Sequence, residues 1–293
     1  MASAKGGLTT RLCAVNARKE KRADLHLHTC HSDGTFSPRE VVQKAIGLQL
    51  SAISVTYHDT VEGLKEAFSA SGEGLEVIPG VELTAVFKER EIHILGYGFR
   101  PQDTDLTAFL KRMQQYRKAR IQAMIDRLKM HKVHVTLEEV SAAAGEGSLG
   151  RPHLAQVLVE KGFVRSLDEA FQRYLGDKAP CFVKGATLTV PEAVRLIGKA
   201  GGVAVLAHPK WAVFDEWIPE LVSAGIQGIE VYHSDHSPGI AEKYRRIAST
   251  HNLLITGGSD CHGLRKTKGP LMGTVTIPYE LVERLKAATL TAG

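Results

Sequence analysis

The chain has 293 residues, 43% hydrophobic and 24% charged, with a formal net charge of +5. This suits a soluble enzyme large enough for one barrel with an inserted subdomain, and the small basic excess is compatible with an anionic substrate without demanding one. No apolar run reaches the length of a membrane span and the four cysteines (Cys13, Cys30, Cys181, Cys261) form no C-x-x-C pair, so a cytoplasmic setting is expected.

Residues 1–22 carry Lys5, Arg11, Arg18, Lys19, Lys21 and Arg22 against Glu20 and lack the apolar core of a secretory signal; they are expected to form a flexible basic leader. Short apolar or β-branched runs near 23–28, 52–56, 75–78 and 91–97 predict strands, with helices near 38–49 and 60–70 between them. Strands near 202–207, 227–231 and 253–257 follow, with helices near 189–200, 213–224, 238–251 and 278–289. The alternation is the signature of an α/β protein with a parallel sheet. Ser37-Pro38 with Glu40, and Thr189 with Pro191-Glu192, place cap residues before two of the helices. Residues 101–185 break the rhythm, reading as consecutive helices with Ile121, Met124, Ile125 and Leu128 at helical spacing. They are expected to form a helical insertion between a first barrel part, 23–100, and a second, 186–293.

Alternate residues of a strand point the same way, so His26 and His28 face one side of the first strand. Further polar packets close other apolar runs: Ser32-Asp33-Gly34, Thr56-Tyr57-His58-Asp59, Pro79-Gly80-Val81-Glu82, His93-Ile94-Leu95-Gly96, Ala207-His208-Pro209 and Ser259-Asp260-Cys261-His262. His26, His28, Asp33, His58, Glu82, His93, His208, Asp260 and His262 are nine imidazole or carboxylate candidates. One ion takes about four to six protein ligands, so this number points to two or three divalent metal ions sharing bridging carboxylates, an arrangement suited to phosphoryl-oxygen chemistry. Most of these residues fall at or just beyond the C-terminal ends of strands, the face on which barrel active sites form.

The ordered packets D-L-H-x-H, S-D-G, T-x-H-D, P-G-x-E, H-I-L-G-Y, A-H-P and S-D-x-H resemble the polymerase and histidinol phosphatase (PHP) family of metal-dependent phosphoesterases, over about residues 23 to 264. Gly150-Arg151-Pro152-His153 and the helical insertion look most like the branch of nucleoside 3′,5′-bisphosphate phosphatases and 5′-to-3′ exoribonucleases. The resemblance implies a distorted (β/α)7 TIM-like barrel, a three-metal site and phosphate ester hydrolysis. Manganese comes first among the ions on the resemblance alone; zinc and iron also accept mixed imidazole and carboxylate ligands. Where the family reads T-D-H-D, this chain has Tyr57, which either replaces a carboxylate that oriented an imidazole or reshapes the substrate pocket.

For substrate contacts, Lys111 to Lys132 carry eight Lys or Arg residues against Asp126 alone. Arg117 and Arg120 share a face with Met113 and Met124 and are expected to clamp a second, non-reacting phosphate. Arg151 and His153 sit at a predicted helix start suited to an anion, and Lys178 and Lys184 flank an apolar segment. His233 and His236 follow a strand and are the candidates for substrate contact or leaving-group protonation. The expected reaction is attack by a metal-bridged hydroxide, which needs no protein nucleophile. The expected partner is a small phosphorylated substrate, a nucleotide or a short RNA end, with no membrane or protein partner indicated. The alternatives are a di- or triesterase with a pocket altered by Tyr57, and a decayed module that only binds nucleic acid. An amidohydrolase would commonly carry a bridging Lys on a later strand and lacks this series of packets.

Overall fold

The computed structural model describes residues 20–185, 188–209, 212–265 and 271–290. Eight strands form one sheet: β1 (Arg22–Leu27), β2 (Ala52–His58), β3 (Glu76–Phe87), β4 (Arg90–Tyr97), β5 (Val203–Leu206), β6 (Gly228–His233), β7 (Leu254–Gly258) and β8 (Ile277–Pro278). Their order is β7-β6-β5-β4-β3-β2-β1-β8, and a parallel bridge from Leu27 to Cys261 brings the β7 end back to β1, so the sheet is a nearly closed barrel. Gly258 permits this closure, because a Cβ there would collide with the backbone nitrogen of His26. The leader expected over 1–22 lies almost wholly outside the described residues; Arg22, the first residue of β1, pairs with Pro278.

Helices α1 (Pro38–Gly47), α2 (Leu64–Ser71), α7 (Val190–Lys199), α8 (Ala212–Ser223) and α9 (Pro238–Thr250) follow the strands, as the alternation predicts. The capping box of α1 is present: Ser37 Oγ accepts from the Glu40 amide and Glu40 accepts from the Ser37 amide at 2.7 Å. The sheet is not parallel throughout, since β4 runs antiparallel to both β3 and β5. The reason is local: only Lys88 and Glu89 separate β3 from β4, both with positive φ (46° and 66°), and a two-residue turn of that kind forces a hairpin.

Between β4 and α7 come α3 (Thr104–Met130), α4 (Leu137–Ala144), α5 (Arg151–Glu160), α6 (Leu167–Ala170) and a π-helical turn, Phe171–Leu175. They bury a cluster of their own that includes Ile121, Met124, Leu128, Leu154 and Leu158. Period-2 alternation divides the barrel strands. Ile53, Val55, Tyr57, Val81, Leu83 and Ile94 pack outward beneath the helices. The opposite faces line the interior, where Ile78, Leu95, Tyr97 and Val205 form an apolar floor. The last helix, α10 (Tyr279–Leu290), supplies Val282 and Leu285 to that same cluster. Above the floor the inward residues turn polar, and there the histidines and carboxylates meet.

Candidate metal centre

Glu82, on the inward face of β3, is 1% exposed and lies at the centre. Its Oε2 is 3.2 Å from His26 Nε2, 3.3 Å from His28 Nε2 and 3.4 Å from His58 Nδ1. Its Oε1 is 2.6 Å from His93 Nδ1 and 3.0 Å from His208 Nε2. Asp260 Oδ1 approaches His28 Nε2 at 3.2 Å and His26 Nε2 at 3.5 Å. Asp33 Oδ1 meets His262 Nε2 at 3.3 Å, and its Oδ2 lies 3.7 Å from His58 Nε2. The structure therefore brings all nine sequence candidates together.

These spacings carry chemical information. Two donors each about 2.05 Å from one tetrahedral ion stand about 3.3 Å apart, so most of these nitrogen–oxygen separations suit shared coordination better than hydrogen bonding. Consistently, His28 Nε2, Asp33 Oδ1 and His58 Nδ1 are buried without a hydrogen-bond partner among the described residues. Four groupings place all their donor atoms within 4.8 Å of one another: His28 with Asp33, His58 and His262; His26 with His28 and Glu82; His58 with Glu82 and His93; and His26 with Glu230 and His233. A chain with this donor set fits two or three divalent ions.

Electrostatics keeps the donors ready. Burial would raise the Glu82 carboxyl, but His58, His93 and His26 around it hold it well below the usual carboxylate range. Asp33 and Asp260 are likewise held down, against burial, chiefly by His262. Burial pushes His58 down to about 3, which keeps it neutral and able to bind a cation. Backbone strain gathers here too, with φ of 52° at Asp59 and Asp260 and 25° at His208.

Behind the donors stand three carboxylates outside the nine candidates, two of which, Asp24 and Asp59, belong to the D-L-H-x-H and T-x-H-D packets. Glu230, fully buried on β6, accepts from His26 Nδ1 at 2.8 Å and from the His208 amide at 2.8 Å. This fixes the His26 proton on Nδ1 and aims Nε2 at the cluster. Asp24 accepts from Ser259 N and Oγ at 2.9 and 2.7 Å, tying β1 to the turn that bears Asp260. Asp59 accepts from Thr84 N at 2.9 Å and from Arg117 Nε at 2.7 Å, while its carbonyl accepts from Gln114 Nε2 at 2.6 Å. The signal for Glu230 and Asp24 was available, because an ionisable residue inside an apolar strand needs a buried partner.

A cavity of about 160 Å³ opens onto Asp33, His58 and His93 and is lined on its far side by Arg117, Arg120 and Arg151. All three arginines are already engaged: Arg117 with Asp59, Arg120 with Glu91 at 2.9 Å, and Arg151 with Asp177 at 2.8 Å. Three other expected substrate contacts lie elsewhere. Tyr57 is fully buried on the outward face of β2, opposite to His58, with its hydroxyl against Gly63 and its ring edge-on to His31, so it cannot reach the cavity. His153 is buried and its Nδ1 accepts from the Gly150 amide at 3.1 Å, closing the first turn of α5. Lys178 is exposed on the turn after Leu175 and does not line the cavity.

The two histidines of β6 and its following turn also part company. His233 Nε2 lies 3.4 Å from Asp260 Oδ2, at the edge of the cluster, and its Nδ1 accepts from the Asp235 amide at 3.1 Å. His236 Nδ1 donates to the Val231 carbonyl at 2.8 Å and its ring packs on Tyr244, away from the centre. Among the described residues no helix is long and apolar enough to cross a membrane.

Known proteins resemble this chain over most of its length. The sequence model described as the PHP domain matches residues 24–176. Over 247 residues the chain is 32% identical to the 5′-3′ exoribonuclease Rnm of Escherichia coli, covering 82% of this chain and 84% of that protein. It is 31% identical over 246 residues to a 3′,5′-nucleoside bisphosphate phosphatase of Chromobacterium violaceum, covering 82% and 86%. A crystal structure from Bifidobacterium adolescentis, described as a metal-dependent phosphoesterase, superposes with a TM-score of 0.83 at 30% identity, covering 91% of this chain and 96% of that one.

Proposed function

The chain belongs to the PHP family of metal-dependent phosphoesterases, and we propose that it hydrolyses the phosphate ester on a nucleotide 3′-oxygen, either in a nucleoside 3′,5′-bisphosphate or at the 5′ end of a short RNA. The same bond breaks in both, between phosphorus and the 3′-oxygen. The observation that carries this reading is the cavity that joins metal donors to Arg117, Arg120 and Arg151. One end handles the reacting phosphate and the other offers guanidinium donors, pre-oriented by Asp59 and Glu91, to a neighbouring phosphate of the same substrate.

Divalent cations held by the nine donors would supply charge neutralisation at the phosphoryl oxygens and a water acidic enough to attack phosphorus near neutral pH. Manganese is the ion to load first, with zinc or iron as alternatives. Glu82 holds its five imidazoles around one carboxylate, and Glu230 fixes the tautomer of His26. Because His233 Nδ1 accepts a backbone amide, the proton of its neutral ring sits on Nε2, facing the cluster. We assign His233, at the edge of the cluster and outside the lining of the cavity, as the donor to the departing 3′-oxygen. A pocket altered by Tyr57 finds no support, since that phenol lies under the helices.

Two substrates test the reading: adenosine 3′,5′-bisphosphate and a 5′-phosphorylated RNA trinucleotide, each with manganese-loaded protein and a chelated control. Chelator-sensitive release of phosphate or mononucleotide is expected. Failure on both, with metal content verified, overturns it.

A further inference from the structure

Ser148 lines the cavity over the metal donors, yet neither the metal centre nor the arginine ion pairs use it. It is 3% exposed, and its Oγ is buried without a hydrogen-bond partner among the described residues. A buried hydroxyl is costly to leave unmatched, so one that stands on a cavity wall is a donor held for what enters the cavity.

The backbone fixes where that hydroxyl stands. The Ser148 amide donates to the His31 carbonyl at 2.9 Å, in the turn that carries Asp33. Gly147 lets the two segments touch, because a Cβ there would collide with the carbonyls of Cys30 and Ser32. On its other side, the Leu149 carbonyl accepts from Arg117 Nη1 at 3.1 Å. A donor held in place beforehand binds its acceptor without the entropy loss of being ordered.

The next turn adds a second donor to the same cavity. Gly150 is the N-cap of α5, a helix of ten residues, and Gly150, Arg151 and Pro152 all line the cavity. The Gly150 amide is taken by His153 Nδ1, the His153 amide donates to the Gly150 carbonyl at 3.1 Å, and Pro152 has no N–H. Among the described residues, that leaves the Arg151 amide as the donor this turn offers to an anion, at the positive end of the helix dipole.

We infer that Ser148 is a specificity-determining residue, its hydroxyl donating to the substrate's non-reacting phosphate at the start of α5. The inference rests on the proposed function and deepens it. The guanidiniums attract that phosphate by charge, whereas Ser148 and the Arg151 amide act only at contact, on a phosphate seated against the helix start. An ester without the second phosphate leaves the hydroxyl unmatched, and a site built to bond a group rejects the analogue that lacks it.

The test uses manganese-loaded protein and two substrates, adenosine 3′,5′-bisphosphate and adenosine 3′-monophosphate, which differ only in the non-reacting phosphate. The unaltered protein should prefer the bisphosphate. Ser148→Ala should lower that preference, the ratio of the two kcat/KM values, about tenfold, as expected for one hydrogen bond to a charged group, and the loss should appear in KM rather than kcat. Ser148→Cys keeps the size with a weaker donor and should fall between. Adenosine 5′-monophosphate gives a reading without turnover: calorimetry should show its Kd rising about tenfold in Ser148→Ala. An unchanged ratio overturns the inference. So does an equal loss on both substrates, which would mean that Ser148 acts only through the turn of Asp33. If neither substrate is turned over with metal verified, the proposed function fails by itself, and the Kd of adenosine 5′-monophosphate still decides for Ser148 if it rises about tenfold and against it if it does not move.

Discussion

At the barrel mouth, His26, His28, His58, Glu82 and His93 converge from four different strands. On α3, by contrast, Arg117 and Arg120 reach the same cavity from one helix and are held there by Asp59 and Glu91 of the barrel. The first group is positioned by strand register, which fixes where each side chain points. The second is positioned by ion pairs between segments far apart in the chain. The mouth should therefore fail through loss of charge and coordination, and the helical segment through loss of attachment.

The largest effect belongs to Glu82→Gln, which keeps the volume and removes the charge facing five imidazoles. Metal content per chain should drop, and kcat/KM should fall by well over the ~10–100-fold typical of residues one step behind a metal ligand. Metal analysis alongside a bisphosphate assay checks both. Full metal content with ordinary turnover would remove Glu82 from the centre of the site.

Asp59→Asn comes next, and it strikes the joint rather than the centre. Arg117 is 14% exposed and Asp59 fully buried, so breaking their pair leaves a buried guanidinium short of its partner. Losses of this kind run to about 3–5 kcal/mol, and urea unfolding should read a cost of that order. Because the same carboxylate also accepts from Thr84 N and Oγ1 beside Arg117, α3 should loosen from the barrel there, while Gln114 keeps its bond to the Asp59 backbone carbonyl. KM should accordingly rise more than kcat falls.

How far the site could be read from sequence follows the same division. His26, His28 and Glu82 were legible because period-2 alternation and strand-end position need only local information. The same rule, applied to β2, would have set Tyr57 opposite His58; reading it beside His58 as a pocket residue ignored the alternation. The hairpin of β3 and β4 escaped because Lys88 and Glu89 hold positive φ without the Asn or Gly that usually announces it. Arg117 was visible as a cation near the site. Its partner Asp59 is 58 residues away, and nothing local announces such a pair.

A smaller effect is expected at Glu230, which acts on the metals only through His26 and the His208 amide. Glu230→Gln should weaken metal affinity by about 10–100-fold, measured by competition with a chromogenic chelator, with the fold intact by circular dichroism. In the unaltered protein, metal loading should fall as pH falls, because protons compete for the imidazoles. Burial alone would lower His26, but Glu230, Glu82 and Asp260 hold it well above the ordinary imidazole value. The loss should therefore begin above about pH 6.5.

The smallest effect is predicted for Tyr57→Phe. The ring is packed in the layer between β2 and the helices and contributes there through its apolar surface, which phenylalanine keeps. Burial pushes the phenol up, away from ionisation, so no anionic role is lost with the hydroxyl. Stability should change by no more than about 1 kcal/mol, the usual worth of a single hydroxyl interaction, and the ratio of monoester to diester turnover should not move. Tyr57→Asp should instead place a carboxylate in that apolar layer and destabilise the chain by several-fold more. A Tyr57→Phe protein that folds normally but changes its substrate preference would show that β2 communicates with the cavity through its outward face, and would end the division drawn here between packing and chemistry on that strand.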